Sequence, residues 1–218
     1  MKLTKYGHSC VRIADDSDRR LVIDPGVFSA VPDALDGIDT VLLTHQHPDH
    51  VDVEALSAAA TRNSELKVWG PRDVVDQLAK VEALADRLTA VGPGESFTAG
   101  GLQIQTYGGQ HALIHSSVPV VSNVGYLVAD TVYHPGDSYT VPTAAVELLL
   151  IPISAPWARI SDTYDFVISV RAPRAFGIHD AIVSDVGRGM YEMHMKRVGE
   201  LYGVTRYEHL DDSVGVEL

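Results

Sequence analysis

The chain has 218 residues, 45% of them apolar and 21% charged, which is an ordinary globular composition and enough length to bury a substantial core. A formal charge of -12 disfavours a nucleic-acid partner, and no apolar run approaches the roughly 18 to 20 residues that a membrane span requires. The start of the chain lacks the apolar core of a secretory signal, and the single cysteine, Cys10, excludes an intrachain disulfide framework, so the expected compartment is the cytoplasm.

Short strands are predicted first, at Lys2 to Tyr6, Cys10 to Ala14 and Leu21 to Ile23, the last stopped by Asp24-Pro25-Gly26. Thr40 to Leu43 reads as a buried strand. Val53 to Ala60 is Ala-rich and helical, with Asp52 as its N-cap. Leu66 to Trp69 is a strand that ends at Gly70-Pro71. Val74, Val75, Leu78, Val81 and Leu84 share one helical face, which predicts a helix from Arg72 to about Leu84. Glu95 to Thr98 and Leu102 to Tyr107 flank the turn Ala99-Gly100-Gly101. Val124 to Val128 and Thr131 to Tyr133 read as a hairpin around Ala129-Asp130. Glu147 to Ile151 is a buried strand. Helix and strand then alternate over Tyr164 to Val170, Ala175 to Ile178, Met190 to Tyr202 and Val204 to His209. Two strand-rich regions, each followed by helices, predict two packed sheets with helices outside, and residues 1–218 read as one domain.

Thr44-His45-Gln46-His47-Pro48-Asp49-His50 sets three imidazoles and a carboxylate just after an apolar strand. These groups bind borderline divalent metals, and packing does not call for them, because each buried imidazole needs a polar partner. In an extended stretch, His45 and His47 point the same way, so both can serve one ion, while Asp49 and His50 can face a second after the Pro48 turn. Four groups cannot fill two coordination shells. Three further candidates follow predicted strands in turn-like contexts: His111 after Gly108-Gly109, Asp137 in His134-Pro135-Gly136-Asp137-Ser138, and His179 in Gly177-Ile178-His179. His115 rivals His111, which is favoured because the Gly-Gly turn precedes it.

The His-x-His-x-Asp-His motif, followed in order by His111, Asp137 and His179, resembles the metallo-β-lactamase-fold superfamily of metal-dependent hydrolases. Tyr6-Gly7-His8-Ser9-Cys10 and Ile23-Asp24-Pro25-Gly26 are similar to the small branch that includes ascorbate-phosphate lactonase-like proteins. The resemblance implies an α/β (α+β) four-layer αββα sandwich. It implies two divalent ions, with zinc the first choice and manganese or iron the alternatives. His45, His47 and His111 would hold the first ion and Asp49, His50 and His179 the second. Asp137 would bridge both, and a hydroxide between them would attack an ester-like bond in a lactone, ester or phosphodiester. The chain departs from secreted β-lactam-hydrolysing enzymes: it shows no export signal, and Cys10 does not match their cysteine ligand. No exosite arm like that of the tRNA-processing branch is evident.

Other residues have weaker signals. His8 reads as a pocket residue that orients substrate or donates a proton, with a buried histidine bonded to backbone as the alternative. Asp24 is expected to orient a ligand histidine. His134 reads as a supporting or packing residue, and His194 and His209 as ordinary ones. Trp157, Arg159 and Tyr164 could wall the pocket. The expected substrate is a small molecule, and homo-oligomerisation is compatible with the sequence. Two other functions fit the same residues: a mononuclear iron enzyme of the sulfur-dioxygenase type on this scaffold, and a non-catalytic metal-binding domain.

Overall fold

The computed structural model describes residues 1–218. The first half supplies β1 (Lys2–Lys5), β2 (Val11–Ala14), β3 (Arg20–Ile23), α1 (Val31–Ala34), β4 (Thr40–Leu42), α2 (Val53–Arg62), β5 (Lys67–Gly70), α3 (Arg72–Leu78) and β6 (Leu88–Ala90). The second half supplies β7 (Ser96–Ala99), β8 (Leu102–Gly108), β9 (Val124–Val128), β10 (Val132–His134), β11 (Leu148–Pro152), α4 (Ile160–Val170), β12 (Arg174–Ile178), α5 (Asp185–Tyr202), β13 (Arg206–Glu208) and β14 (Gly215–Glu217). They form two seven-stranded mixed sheets, ordered β14-β1-β2-β3-β4-β5-β6 and β13-β12-β11-β10-β9-β8-β7.

Alternation along the strands explains the layers. Leu21, Ile23 and Leu42 turn inward and pack with Ile104, Tyr126, Leu150 and Phe176 of the other sheet. Val22 and Val41, on the opposite face, pack against Leu56 of α2 and Val74 of α3. In the second sheet Leu149 and Ile151 face outward onto Phe166 of α4 and Met195 of α5. Central strands buried on both faces are therefore almost wholly apolar, and the αββα sandwich expected from the sequence is the fold observed.

Several boundaries differ. α3 ends at Leu78, yet the apolar face continues to Leu84, because three-residue turns (Val81 N–H to Leu78 O, Leu84 N–H to Val81 O) preserve nearly the helical spacing. α4 starts at Ile160, earlier than the expected Tyr164. α5 starts at Asp185 rather than Met190, capped by Ser184, whose hydroxyl accepts the Gly187 amide; Gly187 and Gly189 weaken the helical signal there. The last predicted strand contracts to Arg206–Glu208, and the short α1, β6 and β14 are additional.

Strands β1, β3, β4, β8, β10 and β12 run so that their carboxyl ends release loops along one edge of the sandwich, and the pairings make the strands concerned parallel within each sheet. Two glycines let these loops pack. A Cβ on Gly26 would fall 1.9 Å from Asp49 O, so Asp24-Pro25-Gly26 can lie against the metal-type loop only with glycine there. Gly136, at φ +63, would place a Cβ 2.3 Å from Asn123 Oδ1 and 2.7 Å from Thr44 Cβ.

Candidate metal centre

Each candidate ligand sits just beyond a strand. His45, His47, Asp49 and His50 follow β4, His111 follows β8, Asp137 follows β10 and His179 follows β12. All seven come together. His50 Nε2 lies 3.0 Å from Asp137 Oδ1, while the Nε2 atoms of His111 and His179 lie 3.3 and 3.1 Å from Asp137 Oδ2. Asp49 Oδ2 is 3.5 Å from His179 Nε2 and 3.8 Å from His50 Nε2. His45 Nε2 and His47 Nδ1 are 3.1 Å apart. His45, His47 and His111 form one convergent group, and His8, Asp49, His50 and His179 another; a third, His45, His50 and Asp137, lies between them.

The far side of each imidazole fixes its direction. The Nδ1–H groups of His111 and His179 donate to the carbonyls of Ala112 and Ser154, both at 2.6 Å. His50 Nδ1 donates to Asp24 Oδ2 at 2.7 Å. The Thr44 hydroxyl donates to Asp24 at 2.7 Å, so it accepts from His45 Nδ1 at 2.9 Å. All four rings thus aim Nε2 inward. Three of those atoms, on His50, His111 and His179, and Asp137 Oδ1 are fully buried and without an aligned hydrogen-bond partner. Such orphaned groups are costly, and their convergence is the arrangement of ligands around a cation, with tautomers set from behind as ligand histidines require. The residues therefore fit a metal centre.

Asp24 is the hub behind this arrangement. It is fully buried, sits at φ +52, and accepts the Thr44 amide, the Thr44 hydroxyl and His50. His8 and His179 also adopt left-handed backbone, at φ 47 and 60, an uncommon state for such residues that a surrounding structure must enforce. His8 differs from the ligand set. Its Nδ1 accepts the Ala181 amide at 3.3 Å, so Nε2–H is the donor and faces Asp49 Oδ2 at 3.2 Å. His134 is buried, donating to Ser9 O and accepting the Gly136 amide, and so supports the turn that carries Asp137. His115 is exposed and bonded to Ser117, outside the centre. Trp157 does reach the centre, donating Nε1–H to Asp137 Oδ2 at 3.0 Å. Arg159 pairs with Asp162 and Tyr164 with His194. Asn123 went unrecognised in the sequence. Its Oδ1 accepts the Asp137 amide and its side-chain amide donates to Pro135 O, and a lone Asn before a strand gives little signal.

Without a cation, protons balance the carboxylates. Burial opposes charge on His179, but Asp137 and Asp49 raise its pKa to about 9. His50 is raised well above the usual imidazole value against the same burial cost, by Asp137 and Asp24. Stabilisation from a raised pKa is complete below the unfolded value of about 6.5 and is lost as pH rises through the folded one. His45, His47 and His8 shift downward, chiefly through burial, so they oppose folding on the acid side instead. The melting temperature of metal-stripped protein is therefore expected to fall between about pH 6.5 and 9, and saturating divalent metal, which displaces those protons, should abolish the fall. Thermal melts across that window with and without metal check this; identical pH profiles would refute it.

An αββα sandwich with a buried His/Asp cluster at one edge of its two sheets is the arrangement of a metal-dependent enzyme. The family described as Beta-lactamase superfamily domain matches residues 2–179, and the chain belongs to it. Protein Rv0786c of Mycobacterium tuberculosis is 37% identical over 196 residues, covering 88% of this chain and 89% of that one. A UPF0173 metal-dependent hydrolase of Aeropyrum pernix is 28% identical over 155 residues, covering 63% and 61%. The Escherichia coli protein named "Probable L-ascorbate-6-phosphate lactonase UlaG" is 26% identical over 155 residues, covering 63% of this chain and 44% of its own length. Igni18, a metallo hydrolase from Ignicoccus hospitalis, shares the fold with a TM-score of 0.72 at 20% identity, covering 100% and 98%. No helix is long and apolar enough to cross a membrane.

Proposed function

We propose that residues 1–218 form one catalytic unit in which His45, His47 and His111 hold one divalent ion and Asp49, His50 and His179 hold a second. Asp137 is shared between them. The observation that carries this reading is the set of buried, unpartnered atoms on His50, His111, His179 and Asp137 converging on one space. Zinc suits the imidazole and carboxylate donors, with manganese or iron as alternatives. When bound, such ions lower the pKa of water to about 7 and polarise the attacked oxygen.

The chain's own groups do the positioning. Asp24 and Thr44 hold His50 and His45 in register. Trp157 fixes one oxygen of Asp137. His8 presents Nε2–H beside Asp49, where it can donate to a substrate oxygen or to the departing one. The reaction is hydrolysis of an ester-like bond in a small molecule; the lactonase and hydrolase names of the relatives support that class. Metal analysis of protein purified without added metal, with a screen of esters, lactones and phosphodiesters, tests it. Two equivalents of zinc or manganese and hydrolytic turnover are expected. One iron per chain with oxygen uptake and no hydrolysis would overturn it.

A further inference from the structure

Along β1 the buried positions are Leu3 and Lys5. Leu3 belongs to the apolar core between the sheets, and alternation turns Lys5 to the same side. A lysine there breaks the pattern that the strand otherwise keeps, and such breaks collect at functional sites. The Lys5 side chain is 2% exposed. Its ammonium meets Asp180 Oδ2, on a side chain 6% exposed, at 2.6 Å and the more open Asp212 Oδ1 at 3.4 Å. Asp180 adjoins His179 beyond the end of β12, so it hangs from the opposite sheet to β1. The Lys5–Asp180 pair therefore crosses the sandwich. Stability does not call for it, because desolvation cancels most of the attraction in a buried ion pair, and apolar residues of similar volume hold as well.

What the pair does is fix two segments against each other. Three residues after Lys5, His8 accepts the His179 amide on its carbonyl at 3.0 Å and the Ala181 amide on Nδ1 at 3.3 Å. The two rings lie 4.0 Å apart. The link from Lys5 to His8 is a closed turn, in which the Tyr6 amide donates to Cys10 O and the Cys10 amide to Gly7 O. From the far end of the chain, the Ser213 amide donates to Lys5 O at 2.7 Å and holds the strand from behind. Segments 5–8 and 179–181 are thus joined at one end by Lys5 and Asp180 and at the other by His8. They carry His8 and His179 of the convergent group His8, Asp49, His50 and His179. His45, His47 and His111 sit on neither segment, since they follow β4 and β8.

We propose that Lys5 and Asp180 are positioning residues for one half of the metal centre. Their bond across the sheets sets His8 against His179 and, given the two-ion reading above, the fit of the ion assigned to Asp49, His50 and His179. The ion assigned to His45, His47 and His111 does not depend on it.

The test replaces both members by apolar residues, Lys5→Met/Asp180→Leu, which should preserve the fold. Zinc titrations of the metal-free variant against a chromophoric chelator should show one ion bound about 10- to 100-fold more weakly, the usual effect of losing a group behind a ligand, and the other bound as in the parent. A second readout needs no metal. The Ala181 amide on Nδ1 keeps His8 as its Nε2–H tautomer. Long-range proton–nitrogen NMR spectra should show that single form in the metal-free parent and a mixture of both in the variant, with His45 unchanged. A pair that only stabilised the fold would move the melting temperature and neither of these readouts. Should the double variant not fold, Asp180→Asn, which leaves Lys5 a weaker, neutral acceptor, takes its place, and smaller changes in the same directions are expected. Both ions bound as in the parent, or both weakened equally, with His8 still in one tautomer, would overturn the inference while the two-ion reading stands. If the parent does not bind two ions, that reading falls and the tautomer alone decides: a mixture in the variant sustains the positioning role and a single form overturns it.

Discussion

Asp137→Ala should empty the centre and silence it. Asp137 is the one carboxylate within 3.3 Å of His50, His111 and His179 together, so its loss removes a donor from both proposed ion positions at once. Metal retained after desalting should drop below about one equivalent, and kcat/KM should fall at least about 10³-fold, equivalent to about 4 kcal/mol of transition-state stabilisation. The fold should survive. In the metal-free protein the imidazoles lose the anion that holds protons on them, and buried neutral imidazoles are cheaper than buried charged ones. Circular dichroism, metal analysis and kinetics on one preparation check all three expectations. Full activity in a folded Asp137→Ala variant would refute the shared-ligand assignment.

Asp24 is the second sensitive position, and two substitutions separate its roles. Asp24→Asn keeps the shape and tolerates the left-handed backbone at φ +52, but it removes the charge that His50 and Thr44 address. Metal affinity should fall about 10- to 100-fold, the usual effect of losing a group that orients a ligand. Asp24→Ala removes every acceptor, leaves the Thr44 amide and His50 Nδ1 buried without partners, and places Ala in a backbone region it disfavours. It should lose roughly 3–5 kcal/mol of stability, the range for breaking a buried charge pair from one side. Competition with a chromophoric chelator measures the first effect and chemical denaturation the second. Equal metal affinity in Asp24→Asn and the parent would refute the hub role.

How much was legible in the sequence depended on the range of the interactions. The His45 to His50 loop is legible because its donors are neighbours in the chain and their spacing already implies a shared focus. Asp24 was readable because a strand that stops at Asp-Pro-Gly sets its carboxylate at a strand end. Trp157 was only a possible wall, since its bond to Asp137 joins loops after β10 and β11 and depends on both rotamers. Asn123 was silent for the same reason. In the fold, strands buried on two faces stood out as apolar runs. The start of α5 was hidden because the Ser184 cap and the Asp185–Arg188 pair hold a turn that Gly187 and Gly189 would not favour alone. β14 was invisible because it exists only by pairing with β1, more than two hundred residues away in the chain.

The division of donors between sheets has a mechanical consequence. His45, His47, Asp49 and His50 hang from the sheet that contains β4, whereas His111, Asp137 and His179 hang from the one that contains β8, β10 and β12. A cation held by both sets is a rivet through the seam of the sandwich. The apolar core shared by the sheets clamps the rest of that seam, while at this edge the facing loops meet through polar groups as well, among them the Val124 amide on Thr44 O and the His179 amide on His8 O. The rise in melting temperature on loading metal would therefore measure how firmly the two halves are fastened together, and not only how full the centre is.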